Sequence, residues 1–145
     1  MKKNLIYMTF VLLVVLFSCQ SKDKNEGYSK IRQEQEPLGA QCLDKARTYL
    51  ASQDFDAAIK EVLSVSKLYP HAISAREQGI LLLDSIQLLQ SKKELETFVA
   101  DHPNDSVTDA RYSSQFEDLC NKVTFYTKKL EHDRQVKVKE TRQEK

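Results

Sequence analysis

From Pro37 onward, apolar residues recur along the chain at helical rather than strand spacing. Cys42, Ala46 and Tyr49 fall at i, i+4 and i+7, with Leu43 and Leu50 beside them, which predicts a first helix from Pro37 to about Ala51. A short polar break, Ser52-Gln53-Asp54, offers Asp54 as the N-cap of a second helix over about 55–68. Phe55, Ala58, Ile59, Val62 and Val65 form its apolar face, and Leu68-Tyr69-Pro70 ends it. Ser74 and Glu77 fit a capping box, so a third helix is expected from there to about Gln90. Ser91 and Glu94 repeat that pattern and predict a short fourth helix carrying Leu95, Phe98 and Val99.

The run Asp101-His102-Pro103-Asn104-Asp105 breaks the pattern. A last helix is expected from near Ser106. Its residues Tyr112, Phe116, Leu119, Val123, Tyr126 and Leu130 repeat at alternating four- and three-residue spacing, a heptad seam. Residues 131–145 are almost wholly polar and are expected to fray.

The start of the chain is patterned differently. Lys2 and Lys3 precede an apolar stretch from Leu5 to Phe17, too short to span a hydrocarbon core of ~30 Å comfortably. Residues 20–36 are polar with few apolar anchors, so 19–36 is read as a flexible tether.

Composition sharpens the helical reading. Only three glycines and three prolines punctuate 145 residues, while Lys, Glu, Gln, Leu and Ala abound. Removing Lys2 and Lys3 with the leading segment takes the formal charge from +1 to −1. That balance leaves no basic footprint for nucleic acid, nor for a membrane held by charge alone.

Two resemblances follow from these residues. Leu16-Phe17-Ser18-Cys19, at the end of the apolar stretch, resembles the bacterial lipobox, in which a small residue precedes an obligatory cysteine. The resemblance implies that residues 1–18 are an export signal and that Cys19 is lipidated, anchoring the chain through two or three acyl chains. Position 20 is glutamine rather than aspartate, which by analogy with sorting rules favours the outer membrane.

The region 39–72 resembles a tetratricopeptide repeat, a helical hairpin with small and aromatic residues at fixed places. Ala46, Tyr49, Phe55, Ala58 and Pro70 sit at matching spacings, while Cys42 replaces the usual tryptophan and Gln53 the turn glycine. Pro103 lies 33 residues after Pro70, and Gly79, Leu83 and Ser91 sketch a degenerate second unit. The implied fold is all-α: two tetratricopeptide-like hairpins, the second degenerate, and a long C-terminal capping helix, with the repeat domain over 37–130. In such families the first helix of each hairpin lines a groove for a peptide or helix. Ala40, Leu43, Arg47 and Leu50 are the expected groove residues of the first unit, and Arg76, Ile80 and Leu83 those of the second. Arg47 and Arg76 could then clamp a partner carboxylate.

Catalytic chemistry finds little footing. His71, His102 and His132 have no metal-ligand spacing with each other or with cysteine, and the first two flank prolines at expected turns. There is no G-x-S-x-G elbow and no glycine-rich phosphate loop. Cys42 and Cys120 stay open between a disulfide and two small buried hydrophobes, their placement favouring the second. No catalytic residue, metal or cofactor is assigned. The expected role is an envelope-anchored adaptor that binds a protein or peptide. The alternatives are a structural lipoprotein that self-associates through the 112–130 seam, as a homo-oligomer, and a small-ligand carrier.

Overall fold

The computed structural model describes residues 24–102 and 110–143. The described residues form four α-helices and no strand: α1 (Lys24–Ala51), α2 (Phe55–Leu68), α3 (Ile73–Asp101) and α4 (Ala110–Gln143). The all-α class is thus shown. The chain divides between Ile31 and Arg32 into two units. Of the first, only residues 24–31 are described, as the start of α1; the packing below belongs to the second.

The core is built where the first three helices meet. Cys42, Leu43 and Ala46 of α1 are buried with Ala58, Val62 and Val65 of α2. Ala72, Ala75 and Ile86, at and within α3, complete the cluster. Tyr49, expected on the α1 stripe, is instead 39% exposed, and Leu43 takes the buried place. α3 packs against both α2 and α4.

Small residues set the closest approaches. A Cβ on Gly39 would stand 2.8 Å from the Ala75 Cβ and 3.1 Å from that of Ala72, so α1 reaches the start of α3 only because glycine is there. Gly79 is more relaxed: its Cβ would meet Val62 at 3.5 Å and Leu43 at 3.6 Å.

The α1–α2 turn forms as expected, with an unexpected conformation at its centre. The amide of Asp54 donates to the Tyr49 carbonyl at 2.9 Å and that of Gln53 to Leu50 at 3.0 Å. This is a Schellman closure, and Gln53 occupies its left-handed position at φ 59°. Asp54 also caps α2, its side chain accepting from the Ala57 amide at 3.0 Å.

Three element boundaries differ from expectation. α1 starts at Lys24, so the tether expected over 19–36 is helical from Lys24 on, and Pro37 lies inside the helix. A proline there costs about 3 kcal/mol. The residues before it offset this by binding another helix: Gln35 accepts from the His71 amide at 2.8 Å, and Glu36 from Ser74 at 2.9 Å and Ala75 at 3.1 Å. Hydrogen bonds to a charged group contribute about 1.5–3 kcal/mol each.

The expected third and fourth helices are one. No turn separates Gln90 from Ser91, and α3 runs unbroken to Asp101. Ser74 does not act as a cap either: it lies within the first turn, and the carboxylate of Glu36 takes the free amides instead. Ser91 is fully buried mid-helix, its hydroxyl donating to the Gln87 carbonyl at 2.7 Å. The second hairpin, as laid out with a turn ahead of Ser91, does not form. Nothing between Leu88 and Asp101 is glycine or proline, and the Ser91 hydroxyl is satisfied inside the helix by the Gln87 carbonyl rather than at a helix start.

The last helix continues past Leu130 to Gln143, where fraying was expected. Its heptad face does not stop at Leu130; it goes on in half-buried Asp133 and Lys137. Polar residues carry the same stripe, so the apolar pattern fails while the helix persists.

Candidate interaction surfaces

The expected partner residues fall into separate places. Leu43 is 1% exposed and belongs to the core, so it is removed from the set of partner-binding side chains. Arg47 is exposed and pairs with Asp44 one turn earlier at 2.6 Å. It lines a groove of 280 Å³ between α1 and α3 with Ala40, Ser74 and Gln78. Arg76 is not in that groove; its guanidinium donates to the Pro70 carbonyl at 2.9 Å. The two arginines therefore do not line a common clamp.

Leu50 is half-buried beside the α1–α2 turn, in a groove with Phe55, Leu89 and Lys93. Ile80 is 52% exposed and faces the other way, beside Asp133, Val136 and Lys137 of α4. Leu83 is half-buried against the core. Amphipathic spacing identified residues near grooves, but not which groove each would face.

Sequence spacing missed an ionic network between α3 and α4 built on one buried carboxylate. Asp84 is fully buried in α3, and the Lys129 ammonium of α4 donates to its Oδ1. Lys129 also pairs with Asp133 at 3.4 Å, and Asp133 with His132 at 2.9 Å. The other oxygen of Asp84, Oδ2, is buried without a hydrogen-bond partner. Burial pushes the Asp84 carboxyl up; Lys129 opposes this and Asp133 adds to it, and the net direction is upward. The Asp133 carboxyl is held down, first by His132 and then by Asp84. Burial disfavours the Lys129 ammonium, but Asp84 and Asp133 outweigh it and hold its pKa up. An aspartate set among Leu81, Leu82, Leu83 and Ile86 was the available signal, and helical periodicity alone gave it no partner.

Farther along, Lys122 and Glu94 pair across α4 and α3 at 2.5 Å. Phe98, His102 and Tyr112 cluster at the end of α3, with Phe98 and Tyr112 stacked at 5.1 Å. His71 lies in the α2–α3 turn and His102 at the C-cap of α3, the inter-helix places expected of them. Cys42 and Cys120 are free thiols, the first in the core and the second half-buried on α4. Cys19 lies outside the described residues. Among the described residues no group of His, Cys, Asp and Glu has the arrangement to hold a metal ion, and no helix is long and apolar enough to cross a membrane.

No family model, curated protein or solved structure matches this chain. What it does must be read from its own residues.

Proposed function

We propose that this chain is a lipid-anchored adaptor of the bacterial cell envelope, held in the outer membrane through Cys19 and binding a protein or peptide partner. The lipobox-like Leu16-Phe17-Ser18-Cys19 supports the anchor. The observation that carries the adaptor role is where the heptad face of α4 goes. Leu119, Val123, Tyr126 and Leu130 are half-buried or buried, with Leu130 beside Leu88, Leu119 beside Phe98, and Phe98 stacked on Tyr112. The seam is therefore satisfied within one chain from Leu119 to Leu130, while Phe116 stays 38% exposed.

What remains open are grooves along helix edges, each with an apolar floor and charged rims. Such grooves suit a peptide segment or a helix. The α1–α2 hairpin, with its Schellman turn and buried Ala46 and Ala58, supports a tetratricopeptide-like first unit. Arg47, exposed in the α1–α3 groove beside Asp44, is the cation that this groove offers a partner.

The experiment is affinity purification of the full chain from gently solubilised membranes, with mass spectrometry of co-purifying proteins, for wild type and Arg47→Glu. A discrete partner diminished in the variant is the expected result. No partner above background in either sample would overturn the adaptor reading. Self-association is the second reading, favoured by Phe125, which stands 59% exposed on α4 beside Tyr126.

A further inference from the structure

The C-terminal half of α4 carries a trough distinct from the grooves discussed above. Its floor is apolar, made by Leu88 of α3 with Leu130 and Val138 of α4. Its rim is cationic, made by Arg134, Lys139 and Arg142. Glu131 is the one acid that lines it, and its volume is 690 Å³. From Leu130 to Arg142 the trough follows about 18 Å of helix, at about 1.5 Å per residue.

The rim charges differ from Lys122 and Lys129 of the same helix. Lys122 is paired with Glu94, and Lys129 with Asp84 and Asp133. Arg134, Lys139 and Arg142 have no ion-pair partner among the described residues. Unpaired cations beside an apolar strip leave two needs open, and one ligand chemistry meets both. The geometry points to this trough as the docking site of an acidic amphipathic helix from a partner protein. The apolar stripe of that helix covers Leu130 and Val138, and its flanking carboxylates meet the three cations. Leu130, 7% exposed, is the deep end of the floor and Val138, 51% exposed, its open end. The inference rests on the adaptor reading and names the chemistry of its partner.

The test uses the full chain in phosphatidylcholine nanodiscs and a fluorescent helical peptide of about four turns, with leucines on one stripe and flanking glutamates. A peptide with lysines in place of the glutamates is the control. The variant combines Arg134→Glu, Lys139→Glu and Arg142→Glu, all at exposed positions, and circular dichroism checks its helicity. Single Val138→Asp probes the floor with the cations intact. Anisotropy should show the glutamate peptide binding wild type, about tenfold weaker binding to the triple variant, and a reversed preference there for the lysine peptide. Val138→Asp should weaken binding as well.

Equal binding of the two peptides, within about twofold, overturns the proposal. Flotation with phosphatidylglycerol vesicles that the triple variant abolishes, without a preference for the glutamate peptide, overturns it in favour of a membrane surface. A dimer dissolved by the triple variant overturns it in favour of a second copy of the chain. If the peptides fail while a discrete protein still co-purifies, the trough assignment falls and the adaptor reading stands.

Discussion

At Gln53 a side chain holds a backbone conformation that glycine adopts more readily. Its φ of 59° places it at the left-handed position of the Schellman turn. A non-glycine residue there costs roughly 1 kcal/mol. Gln53→Gly should therefore raise stability by about 0.5–1 kcal/mol in urea unfolding, a small gain because the glycine also loosens the unfolded chain. A lower stability would show that the Lys93 hydrogen bond to the Gln53 side chain matters more than the backbone. The two helical glycines should respond in opposite directions to alanine. Gly39→Ala forces a contact of 2.8 Å with the Ala75 Cβ, which has no flexible end to move, and should cost about 1–3 kcal/mol. Gly79→Ala meets only ordinary contacts and should add up to about 1 kcal/mol of helix propensity. Thermal melts of both variants check the pair. The sequence located the turn at 52–54 because Ser, Gln and Asp break an apolar pattern. It gave no sign that Gly39 is a crossing point, since close approach depends on a residue 36 positions away.

The start of α3 is tied by a charged group of another helix rather than by a local cap. Glu36 of α1 closes the start of α3. Burial alone would raise its pKa, but the amides of Ser74 and Ala75, with Arg32, outweigh this and hold it below the ordinary 4.5. A carboxylate with a lowered folded pKa contributes stability above its unfolded pKa and loses it as pH falls through the folded one. Glu36→Gln should be less stable than wild type at neutral pH and should lose less stability on acidification below 4.5, read from urea midpoints across pH. A wild-type acid limb as shallow as that of the variant would remove Glu36 from this role.

Asp84 has the opposite sign. Its raised pKa means that the folded state binds more protons than the unfolded one, so its burial costs most at neutral pH. Lys129→Met leaves that carboxylate without its cation. The expected cost is about 2 kcal/mol, below the range for fully buried pairs because Lys129 is 38% exposed. The loss should shrink as pH falls and Asp84 protonates; a loss independent of pH would contradict this. Element type was legible in the apolar-patterned stretches but not in the polar flanks, where a tether and a frayed tail were expected and helix is found. Ser74 and Ser91 carried start signals that the tertiary contacts of Glu36 and the burial of Ser91 overrode.

At the scale of the molecule, the apolar stripes on α1 and α2 predicted most of the core, because burial follows periodicity directly. Which exposed residues share a groove was not legible. Arg47, Arg76 and Ile80 have similar amphipathic settings, and only the packing of α3 against α2 and α4 separates them. The polar residues after Leu130 were expected to fray because hydrophobicity was the only signal read; Asp133 and Lys137 continue the face by charge.

The central claim is that one chain satisfies its own heptad seam and so leaves its grooves for a different protein. The most direct measurement is the mass of the full chain in nanodiscs, for wild type and Leu119→Asp. One copy in each case, with a lower melting temperature for Leu119→Asp because the α3–α4 packing is weakened, is the result the account predicts. A wild-type dimer that Leu119→Asp converts to a monomer of unchanged melting temperature would contradict it and make the seam an interface between copies.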